Sequence, residues 1–357
     1  MRKIIGLIFL SGILYSGVAF GQASTCTQTL RLVQSTYEQG RLHELEALMK
    51  GCLENGFDDQ QKVTAYKYLT LAYIYLEEPE KADATMLKLL STAQAGHFFI
   101  PNDAVDPAEF IALWRKFRRD PLFRLGFKLG LTSTMPAIIE TFYVASSAQG
   151  NGKYTPGLSF YGALVFEKDF PLLLKNFSIA PEIGFMGRSY TYNNDAFNKS
   201  DINQDSAIAV HGPNKFKQTW IDLNLLVQYK IKNGSLNPYI GFGPGISYLV
   251  DSKNEMLTKV SGQGAVTGPK IDFKSSYKSF AYSAIVVVGA KYRFGAFYLT
   301  GDIRYQYGFN NVVNTSKRSN AEALRNYGYV PPNYRHNNLT VNIGIVIPYF
   351  NPKKLIK

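Results

Sequence analysis

The sequence predicts a small helical domain followed by an eight-stranded antiparallel transmembrane β-barrel. The strongest observation is the stretch Phe280 to Phe350, where apolar and polar residues alternate over three consecutive segments. Residues 27–118 instead carry apolar residues at helical spacing. Alternation over about ten residues is typical of a strand with one face in lipid. Together these patterns favour a helical start and a membrane barrel.

The first residues have the pattern of a secretory signal. A basic start, Arg2-Lys3, precedes an apolar run over residues 4–20, and small residues occupy the cleavage positions up to Gly21. We therefore predict a signal peptide over residues 1–21. A retained membrane anchor is the alternative.

The net charge bears on the choice of partner. The chain has a formal net charge of +12, which in a cytosolic protein would indicate nucleic acid. A secretion signal removes that interpretation, so no nucleic-acid partner is predicted. Outer-membrane lipid, lipopolysaccharide and a protein partner in the periplasm or outer membrane are predicted instead.

Residues 22–113 are predicted to form a periplasmic helical domain with repeat-like packing. Small residues at repeat spacing let two antiparallel helices approach closely, as in a tetratricopeptide repeat. A generic helical hairpin is the alternative. The predicted packing positions are Tyr68, Leu71, Ala72, Tyr75 and Ala84. The expected helices cover 27–38, 42–53, 59–76, 80–94 and 107–118, the last capped by Asp106.

Cys26 and Cys52 are the two cysteines of the chain. If the first two helices form an antiparallel hairpin, these residues meet at the same end of it. An oxidising periplasm would then join them in a disulfide. Two buried free thiols are the alternative.

A basic linker over residues 114–123 is predicted between the helices and the barrel. We expect its cations to form a membrane-proximal rim that contacts lipid phosphates or a partner. A solvated charged rim is an equal alternative. The rim residues are Arg115, Lys116, Arg118, Arg119 and Arg124.

The barrel is predicted over residues 124–350, with a periplasmic tail over 351–357. Short connections alternate with long polar ones, which is the habit of outer-membrane barrels with short periplasmic turns and long extracellular loops. Both barrel ends, and the helical domain, are therefore expected in the periplasm. The strands are expected near 124–134, 157–167, 177–190, 218–231, 237–250, 280–294, 297–310 and 337–350.

The inward faces of these strands carry charges of both signs. Because an unpaired buried charge is costly, we predict that they form a lumen charge network. Eight strands enclose little more than room for side chains, so we predict a plugged lumen and no diffusion pore. A proton or ion path is the alternative. The network residues are Lys128, Glu182, Arg188, Asp222, Lys230, Lys291, Arg293, Asp302 and Arg304.

Motifs of catalysis are missing from the sequence. The four histidines are scattered, and the sequence has no metal-ligand cluster, glycine-rich phosphate loop or nucleophile elbow. We therefore predict no enzyme activity, no cofactor and no catalytic or metal site. His211 and His336 are expected at the outer rim. The long connections 251–279 and 311–336 are rich in lysine and arginine and provide the alternative of a surface receptor.

Three stretches resemble a known family. The run from Tyr68 to Leu90, the motif Asp106 to Phe110 and the strand Gly126 to Gly130 resemble PorT-like outer-membrane β-barrel proteins of the Bacteroidota. This resemblance implies an outer-membrane location and, for some relatives, a role in type IX secretion or gliding. It carries no catalytic residues over to this chain.

These observations lead to one main hypothesis about function. We expect a non-enzymatic outer-membrane protein whose periplasmic helical domain binds a protein partner, as an accessory component of a secretion, assembly or motility complex. The alternatives are a surface receptor or adhesin acting through the long extracellular loops, and a small channel.

Overall fold

A computed structural model describes residues 20–142, 152–170, 176–194, 209–231, 234–260, 265–318 and 330–355. The proposed signal residues before Phe20 lie outside this set. The chain divides into two compact units. The helical unit comprises Met1–Pro121 with Phe350–Lys357, and the barrel unit comprises Leu122–Tyr349.

The described part of the helical unit contains six α-helices. The start of α3 has a complete capping box: Gln61 N donates to Asp58 at 2.8 Å, and Asp58 N donates to the Gln61 side chain at 3.1 Å. None of the described helices is long and apolar enough to span a membrane. The helices are α1 Phe20–Glu38, α2 Leu45–Asn55, α3 Asp59–Tyr75, α4 Pro79–Ser91, α5 Ala93–His97 and α6 Ala108–Arg115.

The core of the helical unit begins at the disulfide between Cys26 and Cys52, whose Cα atoms are 5.6 Å apart. This bond joins α1 to α2. Gly56 lies against the sulfur of Cys26, so any side chain at position 56 would collide with the disulfide. Val33 and Met49 pack deeper in the same apolar cluster. The disulfide therefore covers one end of a continuous core.

Asp106 does not cap α6, which corrects the sequence-based expectation. Its carboxylate accepts a hydrogen bond from Asn102 N at 2.8 Å and forms an ion pair with Lys67. Pro107 occupies the N-cap position instead and makes no side-chain cap. The Asp106 carboxylate therefore stabilises the turn before α6 and does not accept hydrogen bonds from the first backbone N–H groups of that helix.

The C-terminal tail is part of the helical unit. Arg118 N donates to Lys353 O at 2.8 Å, and Leu355 N donates to Lys116 O at 2.8 Å. These bonds pair the tail antiparallel with the segment that follows α6. The two segments therefore hold each other by backbone hydrogen bonds.

Nine antiparallel strands form the barrel unit, and eight of them close a ring. Consecutive strands pair along the chain except for β6 and β7, β1 pairs with β9, and β5 pairs with both β4 and β7. The remaining strand, β6, extends the far end of β5. The strands are β1 Phe123–Glu140, β2 Gly152–Asp169, β3 Phe177–Asn194, β4 Ala209–Lys230, β5 Leu236–Val260, β6 Ala265–Asp272, β7 Phe280–Phe294, β8 Phe297–Gly308 and β9 Asn333–Tyr349.

Strands β4 and β5 are longer than the sequence pattern indicates, at 22 and 25 residues. The prediction ended where the outward side chains become polar, whereas the hydrogen-bonded ladder continues beyond that point. Pro244 lies in β5 where pairing with β4 is interrupted between Asn224–Gly245 and Val227–Phe242. A proline is tolerated at such a gap because no ladder hydrogen bond is needed there.

The outward face of the barrel is apolar along its middle. On β9 the exposed positions run from Leu339 to Tyr349, and Ile343 is 72% exposed. This span corresponds to ~33 Å along the strand and, at a tilt of about 40°, to ~25 Å across a bilayer. The outer wall thus has the height of a membrane's hydrocarbon layer.

Candidate functional site

The lumen of the barrel is filled by three layers of side chains. The layer nearest the short connections, called the lower layer, is built on Arg124. Its guanidinium donates to Glu167 at 3.0 Å and to Asp169 at 2.7 Å. Lys230 pairs with Asp169 at 2.6 Å, and Lys291 pairs with Glu167. Two acids therefore serve three cations.

The middle layer is the most deeply buried. Glu182 accepts from Lys128 at 3.0 Å and from Arg304 at 2.6 Å. Asp302 accepts from the same two cations, at 2.8 Å and 3.2 Å. Tyr239 donates its hydroxyl to Asp302 at 3.1 Å. Each charge thus has two partners of opposite sign, which offsets the cost of removing it from water.

The upper layer is built around Arg188. Its guanidinium donates to Ser247 at 2.8 Å, contacts Asp222 at 3.4 Å and lies 3.1 Å from Nδ1 of His336. It also stacks on the ring of Trp220, 4.5 Å from the centroid. A polar cavity of about 10 Å³ borders this layer, enough for roughly one water molecule. The layer is therefore nearly full.

An aromatic cap closes the lumen above the upper layer. The hydroxyls of Tyr190 and Tyr334 lie 2.7 Å apart, and the Tyr334 hydroxyl donates to that of Tyr277 at 3.1 Å. Phe216 stacks on Tyr190 at 5.2 Å between centroids. Phe216 and Tyr334 lie beyond the predicted strand ends, and Tyr277 lies in a long connection. Tyr190 is the last residue of its predicted strand, so the sequence analysis did not anticipate this cap.

Residues 117–314 match the family described as the outer membrane protein beta-barrel domain. The chain belongs to this family. Membership places the barrel unit in a bacterial outer membrane, with the apolar belt in lipid and the charged layers inside.

Three solved structures that are similar to this family member are distant from it in sequence. Neisserial surface protein A is 13% identical, with 64% of this chain and 97% of that chain covered and a TM-score of 0.30. OprG of Pseudomonas aeruginosa is 12% identical, with 65% and 98% covered and a TM-score of 0.35. A major outer membrane protein of Thermus thermophilus is 14% identical, with 62% and 99% covered and a TM-score of 0.31. No curated protein sequence matches the chain.

The structure brings eight of the nine predicted network residues into the three layers of the outer-membrane barrel. The ninth, Arg293, lies half-buried near the end of β7 on the same face as Lys291. Within the described residues, no group of three His, Cys, Asp or Glu side chains is arranged to hold a metal ion.

Arg124 requires a correction. It was assigned to the exposed basic rim, but its side chain points into the lumen and is 9% exposed. Arg124 and Lys128 are four residues apart on β1, so their side chains lie on the same face of the strand and both point inward. The remaining rim residues lie in the helical unit. Arg118 donates to Asn351 O at 3.1 Å, Arg119 stacks on Trp114 at 3.9 Å, and Arg115 and Lys116 are exposed.

Two acids of the lower layer, Glu167 and Asp169, were missed by the sequence analysis. The alternation of β2 could have identified them, since both are an even number of residues from Tyr161, which is buried in the lumen on the same strand. Asp169 lies beyond the predicted strand, which ended at residue 167, whereas Glu167 is the last residue of that strand and was still left out of the network. His336 was also misplaced at the outer rim. It lies inside the barrel because β9 begins at Asn333 and turns it inward. The side chain of His211 lies outside the described set.

The predicted packing positions of the helical unit are only partly correct. Leu71 and Ala72 are buried and Tyr68 is half-buried, whereas Tyr75 and Ala84 are exposed. Helix α4 instead buries Ala82, Thr85, Met86 and Leu89, a face set by three- and four-residue spacing. The Thr85 hydroxyl meets that of Thr70 on α3 at 3.0 Å, so threonines make the close approach assigned to Ala84.

Proposed function

We propose that this outer-membrane protein is non-enzymatic and that its barrel anchors a helical unit which binds a protein partner. The partner would belong to a secretion, assembly or motility complex. Strand β1 begins at Phe123 and β9 ends at Tyr349, and both residues lie on the side of the short connections. Short connections face the periplasm in this class of barrel, which supports a periplasmic helical unit.

The filled lumen supports anchoring over transport. Charged layers and an aromatic cap occupy the barrel interior, and the cavity beside Arg188 is about 10 Å³. A channel requires a continuous hydrated path, and breaking several buried ion pairs to open one would cost several kcal/mol. In this proposal, the interactions that specify function are therefore made outside the lumen.

A cluster of three tyrosines on the helical unit is the observation that carries the proposal. The rings of Tyr37 and Tyr68 are 5.2 Å apart, and the phenol of Tyr75 lies close to that of Tyr37. Tyr75 is nevertheless 49% exposed. Burial and the neighbouring phenols raise the pKa of Tyr37 to about 12, so Tyr37 stays uncharged near neutral pH.

Such a cluster suits protein recognition. Tyrosine is enriched in protein interfaces because it offers a large rigid apolar surface with a hydroxyl at its tip. Here two rings are held by packing, so little side-chain entropy would be lost on binding. The resemblance of residues 68–90 to PorT-like proteins supports a secretion or motility complex as the setting.

The test is co-purification of the full chain from outer membranes followed by mass spectrometry, comparing wild type with Tyr75→Ala. Truncating an interface tyrosine of the hot-spot class costs about 2 kcal/mol, so we expect ~30-fold weaker retention of a stoichiometric companion. Ile100→Ala is the matched control, since Ile100 is 72% exposed on the same unit but lies outside the cluster.

Two outcomes would count against the proposal. The first is the absence of any stoichiometric companion of the wild-type chain. The second is a companion that Tyr75→Ala retains as well as wild type does, while shortening the long connections removes it. That second result would favour the surface-receptor alternative.

A further inference from the structure

A basic cleft lies on the outer wall of the barrel, at the end of the long connections. It has a volume of about 120 Å³ and is lined by β4, β5 and β6. We call it the lysine cleft. Its charged lining consists of Lys215, Lys217, Lys253 and Lys270 together with Asp251 and Glu255.

The strand register places the lysines on the outer face. Lys215 and Lys217 are exposed and alternate with buried Asn214, Phe216 and Gln218. Lys217 lies directly opposite Lys253 on β5. Side chains opposed in this way have Cβ atoms roughly 5 Å apart, and two like charges at that separation destabilise the pair. An anion between the two ammonium groups would relieve this repulsion.

The acids of the cleft neutralise only part of this charge. Asp251 pairs with Lys253 at 2.9 Å, and the exposed Asp272 of β6 lies opposite Lys253, so three acids face four lysines. Glu255 lies opposite Lys215 on one side and Lys270 on the other, so it can serve one of them fully. Among the side chains that the structure describes, Lys215, Lys217 and Lys270 form no ion pair. The cleft therefore retains an excess of positive charge.

The lysine cleft borders directly on the apolar belt. On β4 the exposed residues Leu223 and Ile221 are followed by Thr219 and then by Lys217. On β5 the exposed Tyr248 and Val250 precede Lys253, and a register shift at Val250 brings Lys253 to the outer face. Each alternate position advances ~6.6 Å along a strand. The cations thus lie at the level where the hydrocarbon layer ends and lipid headgroups begin.

We propose that the lysine cleft binds the phosphate group of an anionic amphiphile whose acyl chains lie on the apolar belt below it. Ammonium groups form charge-assisted hydrogen bonds to phosphate oxygens, and the belt supplies contact for hydrocarbon. Phosphorylated lipids of the outer leaflet have both features. This proposal does not depend on the partner of the helical unit.

The test measures binding of lipid A, a diphosphorylated glycolipid, to the purified full chain in neutral detergent by native mass spectrometry. The test variant is Lys215→Gln/Lys217→Gln/Lys253→Gln. The control variant is Lys153→Gln/Lys278→Gln/Lys317→Gln, which removes the same charge from exposed lysines outside the cleft. We expect the test variant to bind at least about tenfold more weakly and the control to bind as wild type does, because only the cleft makes charge-assisted contacts.

Two further probes separate lipid from free anion. Dephosphorylated lipid A should bind the wild-type chain weakly, and inorganic phosphate alone should not compete at equal concentration. An equal loss of lipid A binding in the two triple variants would overturn the proposal, since it would indicate general charge attraction and no specific site. Equal binding of the dephosphorylated lipid, or competition by inorganic phosphate, would also overturn it. Circular dichroism of all variants checks that the barrel remains folded.

Discussion

At the scale of single residues, the lumen depends on matched charges. Glu182 and Asp302 each hold Lys128 and Arg304, so the middle layer is a closed set of two acids and two bases. Removing one acid leaves two buried cations to share the other. Replacing the Glu182 carboxylate with a neutral amide should therefore lower the stability of the whole barrel, because Lys128 and Arg304 each lose one of their two anionic partners.

Glu182→Gln should lower the free energy of unfolding of the barrel by about 3–5 kcal/mol, the usual cost of breaking a buried ion pair from one side. The measurement is urea unfolding of the refolded chain in lipid vesicles. The control, Glu140→Gln, removes an exposed acid of β1 and should change stability by less than about 0.5 kcal/mol. Unchanged midpoints for Glu182→Gln would mean that the middle layer does not stabilise the barrel.

At the scale of elements, the C-terminal tail is held to the helices by an aromatic contact. The rings of His97 and Phe350 stack with centroids 4.5 Å apart, and Lys354 forms an ion pair with Asp83 on α4. Burial lowers the pKa of His97 below its usual value of 6.5. The neutral ring is therefore the form that the folded helical unit prefers.

This preference predicts a loss of stability in mild acid. A depressed folded-state pKa leaves stability intact above pH 6.5 and removes it as pH falls towards the folded-state value. Urea unfolding of the helical unit should therefore need less urea at about pH 5.5 than at about pH 7.5. Trp114 fluorescence in a Trp220→Phe background reports on this unit, since the chain has two tryptophans.

His97→Phe keeps an aromatic ring against Phe350 but removes the titrating group. Its unfolding midpoint should change less between the two pH values than the midpoint of the parent does. An identical pH dependence in both chains would show that other groups of the helical unit are responsible.

At the scale of the whole molecule, the barrel unit is a closed ring whose described side chains pack its interior. Three charged layers and the aromatic cap leave space for roughly one water molecule beside Arg188. We therefore expect no steady conductance in planar-bilayer recordings of the purified chain. A steady, ion-selective current would contradict this expectation and favour the channel alternative.

The alternation of apolar and polar residues along the strands made much of the fold predictable, but it did not predict the strand ends. Lys128, Asp302 and Arg304 could be assigned to the lumen because their outward neighbours are strongly apolar. Asp169 and His336 were missed because the outward pattern fades where strands leave the lipid. The alternation of apolar and polar residues shows where the outer face contacts lipid. The strand itself extends as far as its backbone hydrogen bonds to neighbouring strands continue.

The sequence by itself determined that this chain forms a membrane barrel after a helical start, because lipid requires an uninterrupted apolar face and that requirement is local along each strand. Only the tertiary structure decided which charges meet, since ion-pair partners such as Lys291 and Glu167 are far apart in the chain and meet by strand register and ring closure. The lysine cleft has the same origin. Lys215 and Lys217 join Lys253 because β4 and β5 extend together beyond the membrane belt.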